Sequence, residues 1–218
     1  MRKQSLKTVI NKHMKEHSSI YVFITVLFLM GVVFGAILVN TLNVEQKQDL
    51  FFYLQRFFGQ VVAGEVIGQN EIFIESFLQN LKYIALMWLL GISIVGLPIV
   101  MILLFLKGMV VGFTIGFLVN QMGFSGFMLS FASIMPQNFF IIPIYIVMGT
   151  VAISFALQMV KHQFQRRIHE PFATIFMRYC FLLLLLSISI LPASALEAYI
   201  SPILMRQLLE LVPNSTGI

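Results

Sequence analysis

Long runs without a charged residue alternate with short polar or basic segments along the chain. The first run, residues 20–39, has no charged side chain, and at 1.5 Å per residue it covers the roughly 30 Å hydrocarbon core of a bilayer. Similar runs at about residues 83–106, 108–131, 139–160 and 174–196 predict further membrane-spanning helices. We therefore predict an all-α, polytopic membrane bundle of about five transmembrane helices.

Composition supports this interpretation. The chain has 218 residues, of which 59% are hydrophobic and only 11% charged, and a soluble core of this size cannot bury so much apolar surface. A cleaved signal peptide is the alternative for the first run. That run is longer than the usual 7–15 residues and lacks a small-x-small cleavage site, so we interpret it as an uncleaved anchor.

The distribution of charge predicts the orientation. Five of the fourteen basic residues lie in the first fifteen positions: Arg2, Lys3, Lys7, Lys12 and Lys15. The loop 161–170 is also basic, whereas the segment 40–81 has two basic and five acidic residues. Because basic loops stay in the cytoplasm, we place residues 1–19, Lys107 and the loop 161–170 inside. The segment 40–81 and the C-terminal tail, 197–218, then lie outside, with a four-span bundle at 82–196.

Glycines repeat every four residues in two of these runs. Gly108, Gly112 and Gly116 form one set, and Gly31 and Gly35 form a second. Residues four apart share one helix face, and small residues there let two helix backbones approach closely within a membrane. The spacing predicts helix packing in a compact bundle, and the same faces also suit a homo-oligomer.

The outer segment has its own periodicity. Apolar residues fall at helical spacing between 48 and 62, which predicts an amphipathic helix; they are Leu50, Leu54, Phe57, Phe58 and Val61. Such a stripe can lie on the bilayer surface or dock a partner protein, and our hypothesis is partner docking. Glu71 and Glu75 lie one turn apart in this segment, and we interpret them as a solvated face rather than a general acid/base pair.

Residues 121–143 contain several helix breakers. Pro136, Gln137, Asn138 and Pro143 lie there among short apolar stretches. Irregular backbone at membrane depth must be buried in protein or line a cavity. The segment therefore predicts either a broken-helix, re-entrant element or an ordinary short hairpin between spans.

One enzyme motif is present. His13, Glu16 and His17 match the inverted zinc-protease pattern H-x-x-E-H. The motif lies in a lysine-rich tail without an evident third ligand, so we interpret it as a basic patch facing anionic lipid. No acidic or histidine residue falls in the middle of a predicted span, and we predict no catalytic, cofactor or metal site and no nucleic-acid partner.

Several of these residues together resemble one family. Asn80-Leu81, Gly91-Ile92, Gly96, Lys107-Gly108, Gly112, Gly116, Pro136 and Pro143 carry the resemblance. The pattern resembles the stage II sporulation protein M family of multi-pass membrane proteins over the whole length of the chain.

That resemblance implies a function beyond the physical pattern. Its members are membrane components of the engulfment machinery of endospore-forming bacteria, located at the septum and the engulfing membrane. They act as non-enzymatic scaffolds with the wall-degrading stage II sporulation proteins D and P while septal peptidoglycan is thinned. A permease subunit of a transport system is the alternative, and an intramembrane enzyme ranks third.

Overall fold

The computed structural model describes residues 18–63, 68–164 and 172–211. They form α1 (Ser18–Leu38), α2 (Val44–Ala63), α3 (Gln69–Gly91), α4 (Gly96–Ser133), α5 (Met135–Phe164), α6 (Phe172–Ala195) and α7 (Ser201–Leu211). A 3-10 turn, Val39–Thr41, follows α1, and a π-helical turn, Leu196–Ile200, joins α6 to α7. The all-α fold predicted from the sequence is confirmed for this part of the chain.

Within the described residues, four stretches are long and apolar enough to cross a membrane. They are Ser18–Thr41, Gly96–Ser133, Met135–Val160 and Ala173–Leu209, with mean hydropathies of 2.9, 2.3, 2.3 and 2.2. The protein is therefore a multi-pass membrane protein. Helix α3 is less apolar, yet it packs against α4, α5 and α6 and buries one side of its surface.

Helices α1 and α4 run parallel in close contact. A Cβ atom added at Gly108 would lie 2.3 Å from the carbonyl oxygen of Phe28, and one added at Gly112 would lie 1.9 Å from that of Val32. Gly116 faces Ala36 in the next turn. Along this contact the residue numbers rise in the same direction on both helices, so α1 and α4 run parallel. We call the end of the bundle at Leu38 the upper end and the end at Ser18 the lower end.

The glycines of α1 face the same interface from the other side. A Cβ atom at Gly31 would lie 2.3 Å from the carbonyl oxygen of Phe105, and one at Gly35 would lie 2.0 Å from that of Met109. All five glycines singled out in the sequence thus lie where the α1 and α4 backbones touch. Close packing and dispersion, rather than a hydrophobic drive, join helices in lipid.

The predicted boundaries of the second and third spans are wrong. The chain turns at residues 92–95, between α3 and α4, and not at Lys107, which lies inside α4. The turn is tight: a Cβ atom at Gly96 would lie 1.9 Å from the carbonyl oxygen of Leu90. Pro98 occupies the first turn of α4, where its missing N–H leaves no hydrogen bond unmade.

Helix α4 bends sharply at Gly123. This glycine has φ 56° and ψ −131° and is the only residue with positive φ in the described ranges. Beyond it the chain folds back, because a Cβ atom at Gly126 would lie 1.9 Å from the carbonyl oxygen of Leu118. A second break follows at Ile134, and Pro136 then lies in the first turn of α5. The breaks thus flank residues 124–133, whereas α5 continues through Pro143.

An apolar cluster closes the upper end of the bundle. It joins α2, the two parts of α4 and α7 through Phe58, Val61, Leu118, Met122, Leu129, Ala132, Met205 and Leu209. The predicted C-terminal tail therefore begins with a π turn and a packed helix, through Leu211. We call α2, residues 124–133 and α7 the upper layer.

The α1–α4 contact predicts a specific sensitivity. Gly112→Leu inserts a side chain where the Val32 backbone lies, and we expect a loss of stability on the order of 1–3 kcal/mol from overpacking. Thermal unfolding of the purified protein in detergent measures this loss. Gly59→Leu is the matched control, because a Cβ atom there meets nothing within 4 Å. Equal midpoints for the two variants would contradict the interpretation.

Candidate functional site

Polar side chains of α3 point into the bundle on one helix face. Ser76, Asn80 and Tyr83 follow the i, i+4, i+7 spacing that brings residues onto one side of a helix. Ser76 and Asn80 are buried, at 5% and 7% exposure. In lipid, buried polar groups need partners inside the protein, and four other segments supply them.

Glu197 is held at the upper side of this cluster. Its Oε2 accepts a hydrogen bond from the Ser76 hydroxyl, and Ser194 Oγ lies 3.3 Å from Ser76 Oγ. With its amide nitrogen turned toward the carboxylate, Gln137 donates to Oε2 at 2.6 Å and to Oε1 at 3.1 Å. The carboxylate therefore links α3 and the start of α5 to the π turn.

The π turn aims Glu197 at these partners. It interrupts the helical repeat at residues 196–200, and such insertions are frequent at functional sites because they redirect side chains without ending the helix. Ala193 and Ser194 just before the turn, and Ala198 inside it, are buried. The carboxylate is thus fixed by packing as well as by hydrogen bonds.

A lysine lies on the lower side of the same cluster. Lys107 Nζ is 5.7 Å from the ring centroid of Tyr83 and 5.3 Å from that of Tyr145, within the range of cation–π attraction. The Tyr145 hydroxyl donates to Asn80 Oδ1 at 2.5 Å, and the Tyr83 hydroxyl donates to the carbonyl oxygen of Leu103. Asn80 also donates to the carbonyl oxygen of Ser76 at 2.9 Å. Hydrogen bonds and ring contacts thus connect the two charged residues.

The cluster lies deep in the bundle. Lys107 precedes Gly108, whose backbone meets Phe28 near the middle of α1. Lys107 and Glu197 carry opposite charges on the two sides of this hydrogen-bonded cluster, and in a medium of low dielectric opposite charges compensate each other far more than in water. A buried polar cluster of this kind can fix the positions of several helices relative to one another. Charged residues within the membrane also mark the paths of ions and polar substrates in transporters.

This cluster was not predicted from the sequence, which placed Lys107 in a loop and Glu197 at the start of the tail. In the structure both residues lie inside stretches that are long and apolar enough to cross a membrane, Gly96–Ser133 and Ala173–Leu209. The signal was present in two places. Lys107 has long apolar runs on both sides, and the polar residues of α3 repeat at helical spacing.

Other residues from the sequence analysis lie elsewhere. Asn138 is buried and bonds back to the carbonyl oxygen of Ile134 at 2.8 Å, while Gln137 joins the cluster. The motif with His13, Glu16 and His17 lies outside the described residues. Within them, no group of three or more metal-binding side chains occurs.

The residues of the predicted docking stripe of α2 differ in their exposure. Phe58 and Val61 are buried at 4% and 3% exposure in the upper apolar cluster, so their assignment to partner docking is wrong. Leu50 and Leu54 are half-buried, and only Phe57 is well exposed. The helix uses the stripe to attach to the bundle and turns a different face outward.

These features define a class: a polytopic helical membrane protein with a charged cluster inside its bundle. The chain belongs to the stage II sporulation protein M family, whose model matches residues 24–202. The resemblance seen in the sequence is therefore confirmed, and membership implies a role in sporulation. No curated protein and no solved structure matched the chain.

The charged cluster gives a testable coupling. Lys107→Met and Glu197→Gln should each destabilise the protein, because each leaves a charge in the membrane without its counterpart. The double variant should recover part of the loss, with a coupling energy of roughly 0.5–3 kcal/mol in a double-mutant cycle. Unfolding in bicelles measures it. Lys82→Met, at an exposed position of α3, is the control, and strictly additive losses would contradict the coupling.

Proposed function

We propose that this protein is a non-enzymatic membrane scaffold of the sporulation engulfment machinery. It holds the wall hydrolases, stage II sporulation proteins D and P, at the septum while peptidoglycan is thinned and the mother-cell membrane migrates. Hydrolysis belongs to those partners. Family membership supports the sporulation role, and the mounting of α2 supports the scaffold.

The way in which α2 packs on the bundle, with one face buried and another exposed, is the observation that carries this proposal. The helix anchors through Phe58 and Val61 and turns aromatic side chains outward, with Phe52 at 63%, Tyr53 at 67% and Phe57 at 47% exposure. Exposed aromatic groups on a rigid support resemble the anchors that dominate protein interfaces. We assign this outward face, in place of the buried stripe, to partner docking.

The orientation completes the proposal. We infer five crossings, with the N-terminus in the cytoplasm and the upper layer facing the wall. Because α1 and α4 run parallel, the chain must return across the membrane between them, and α3 has the 23 residues needed. The basic N-tail and loop 161–170 then share the cytoplasmic side.

Cysteine labelling tests this orientation. In a Cys180→Ala background, cysteines at Gln46 and Ser215 should react with an impermeant maleimide on intact protoplasts, because both positions lie outside. A cysteine at Gln165 should react only after the membrane is permeabilised. Labelling of Gln165 on intact protoplasts would overturn the five-crossing topology.

Substitution of the outward face tests docking. Replacing Phe52 and Phe57 together with serine should remove apolar contact worth roughly 1.5–3 kcal/mol for each side chain that a partner buries. Recruitment of the two wall proteins and engulfment should then fail together. Co-purification and fluorescence microscopy measure these outcomes.

The control for docking is Gln48→Ser with Gln60→Ser, on exposed positions of the same helix. Because all four positions are outside the packed core, both variants should insert and accumulate normally. Normal recruitment by the phenylalanine variant would remove α2 from the proposal.

A permease subunit is the second candidate, and the charged cluster favours it. Lys107 and Glu197 lie where intramembrane charges of transporters lie. Substrate flux through proteoliposomes separates the two functions, since a scaffold needs none.

A further inference from the structure

A groove opens between α1 and α4 near the upper end of the bundle. Its volume is about 300 Å³. Its walls include Asn40 of the turn after α1 and, on α4, Gly112, Ile115, Gly116, Val119 and Asn120. At this size it stands at the lower end of the ~300–1,000 Å³ range of ligand pockets.

The packing of the two helices explains why the groove forms there. An added Cβ atom at Gly112 would lie 1.9 Å from the Val32 backbone, whereas one at Gly116 would lie 3.0 Å from that of Ala36. The helices therefore separate by one turn above their tightest contact. Glycine and alanine leave the widening space without side chains to fill it.

The polar groups of the groove lie together at one end. The register that pairs Val32 with Gly112 and Ala36 with Gly116 brings Asn40 to the level of Asn120. Both carboxamides are exposed, and both line the groove. From Gly112 to Asn120 the groove is about 12 Å long at 1.5 Å per residue, close to half of the ~30 Å hydrocarbon core.

We propose that this groove binds one membrane phospholipid of the leaflet at the upper end. One acyl chain lies along the apolar floor at Gly112 and Gly116. The amide nitrogens of Asn40 and Asn120 donate hydrogen bonds to ester or phosphate oxygens of the same lipid. Carboxamide groups supply donors and acceptors without adding charge, which suits a position at the edge of the hydrocarbon core.

The depth and the width of the groove identify the occupant. Its floor lies within α1 and α4, two of the apolar stretches that can cross the membrane, where acyl chains are the surrounding solvent. A helix with its side chains is about 10–12 Å across. That is too wide for a space bounded by two helices whose backbones touch one turn below.

Photolabelling tests the proposal. The protein is placed in nanodiscs of phosphatidylethanolamine and phosphatidylglycerol, with phosphatidylglycerol that carries a diazirine on its acyl chain as the probe. After irradiation, mass spectrometry should find the label concentrated on peptides with Ile115 and Val119. Label spread evenly over all lipid-exposed faces of α1 and α4 would overturn the proposal, because it indicates solvating lipid only.

Two variants sharpen the test. Val119→Trp fills the groove and should lower its labelling about tenfold, equivalent to about 1.4 kcal/mol of binding free energy. Val110→Trp is the matched control: it is an exposed valine of the same helix that does not line the groove. Equal labelling of these two variants would overturn the proposal.

A double variant of the two asparagines tests the polar end of the groove. Asn40→Leu with Asn120→Leu keeps the volume of the groove but removes its hydrogen-bond donors, and it should also lower labelling about tenfold. Asn43→Leu is the control outside the groove. Unchanged labelling in the double variant would overturn the role of the amides. Disulfide formation between copies at Val119→Cys, in a Cys180→Ala background, would assign the groove to a second copy and overturn the lipid.

Discussion

Backbone contact between α1 and α4 sets the architecture of this protein. Glycines on both helices remove the side chains that would keep the backbones apart, and the contact fixes the two helices in parallel. Parallel neighbours require a connection that returns to the starting side, and α3 is that connection. Its position against α4, α5 and α6 follows from a contact in which it takes no part.

The packed face of α3 explains its unusual composition. A helix face that other helices cover can carry polar residues where a lipid-facing surface cannot, provided that each polar group finds a partner. Ser76, Asn80 and Tyr83 find theirs on α4, α5 and the turn that carries Glu197. Hydrogen-bonded networks of this kind fix one arrangement of helices among several that apolar packing alone would allow.

The sequence predicted the helical class, the membrane location, the family and the glycine contacts, because these depend on local periodicity and composition. It failed where local signals compete. A single charge between apolar runs suggested a loop at Lys107, although Gly91, Gly96 and Pro98 mark the true turn about three helical turns earlier. The charged cluster depends on residues far apart in the chain, such as Ser76 and Glu197. No window of sequence brings them together, and only the topology does.

A long separation in sequence also affects the folding of α2, the amphipathic helix. One face of α2 is buried through Phe58 and Val61. These side chains pack in the upper apolar cluster with Met205 and Leu209 of α7 and with Leu118 and Leu129 of α4. The ribosome makes α7 about 140 residues after α2. During synthesis the apolar face of α2 therefore lacks its packing partners from α7. Until α7 has been made, that side is available to lipid or to a chaperone, and the upper layer reaches its final arrangement only after α7 packs against it.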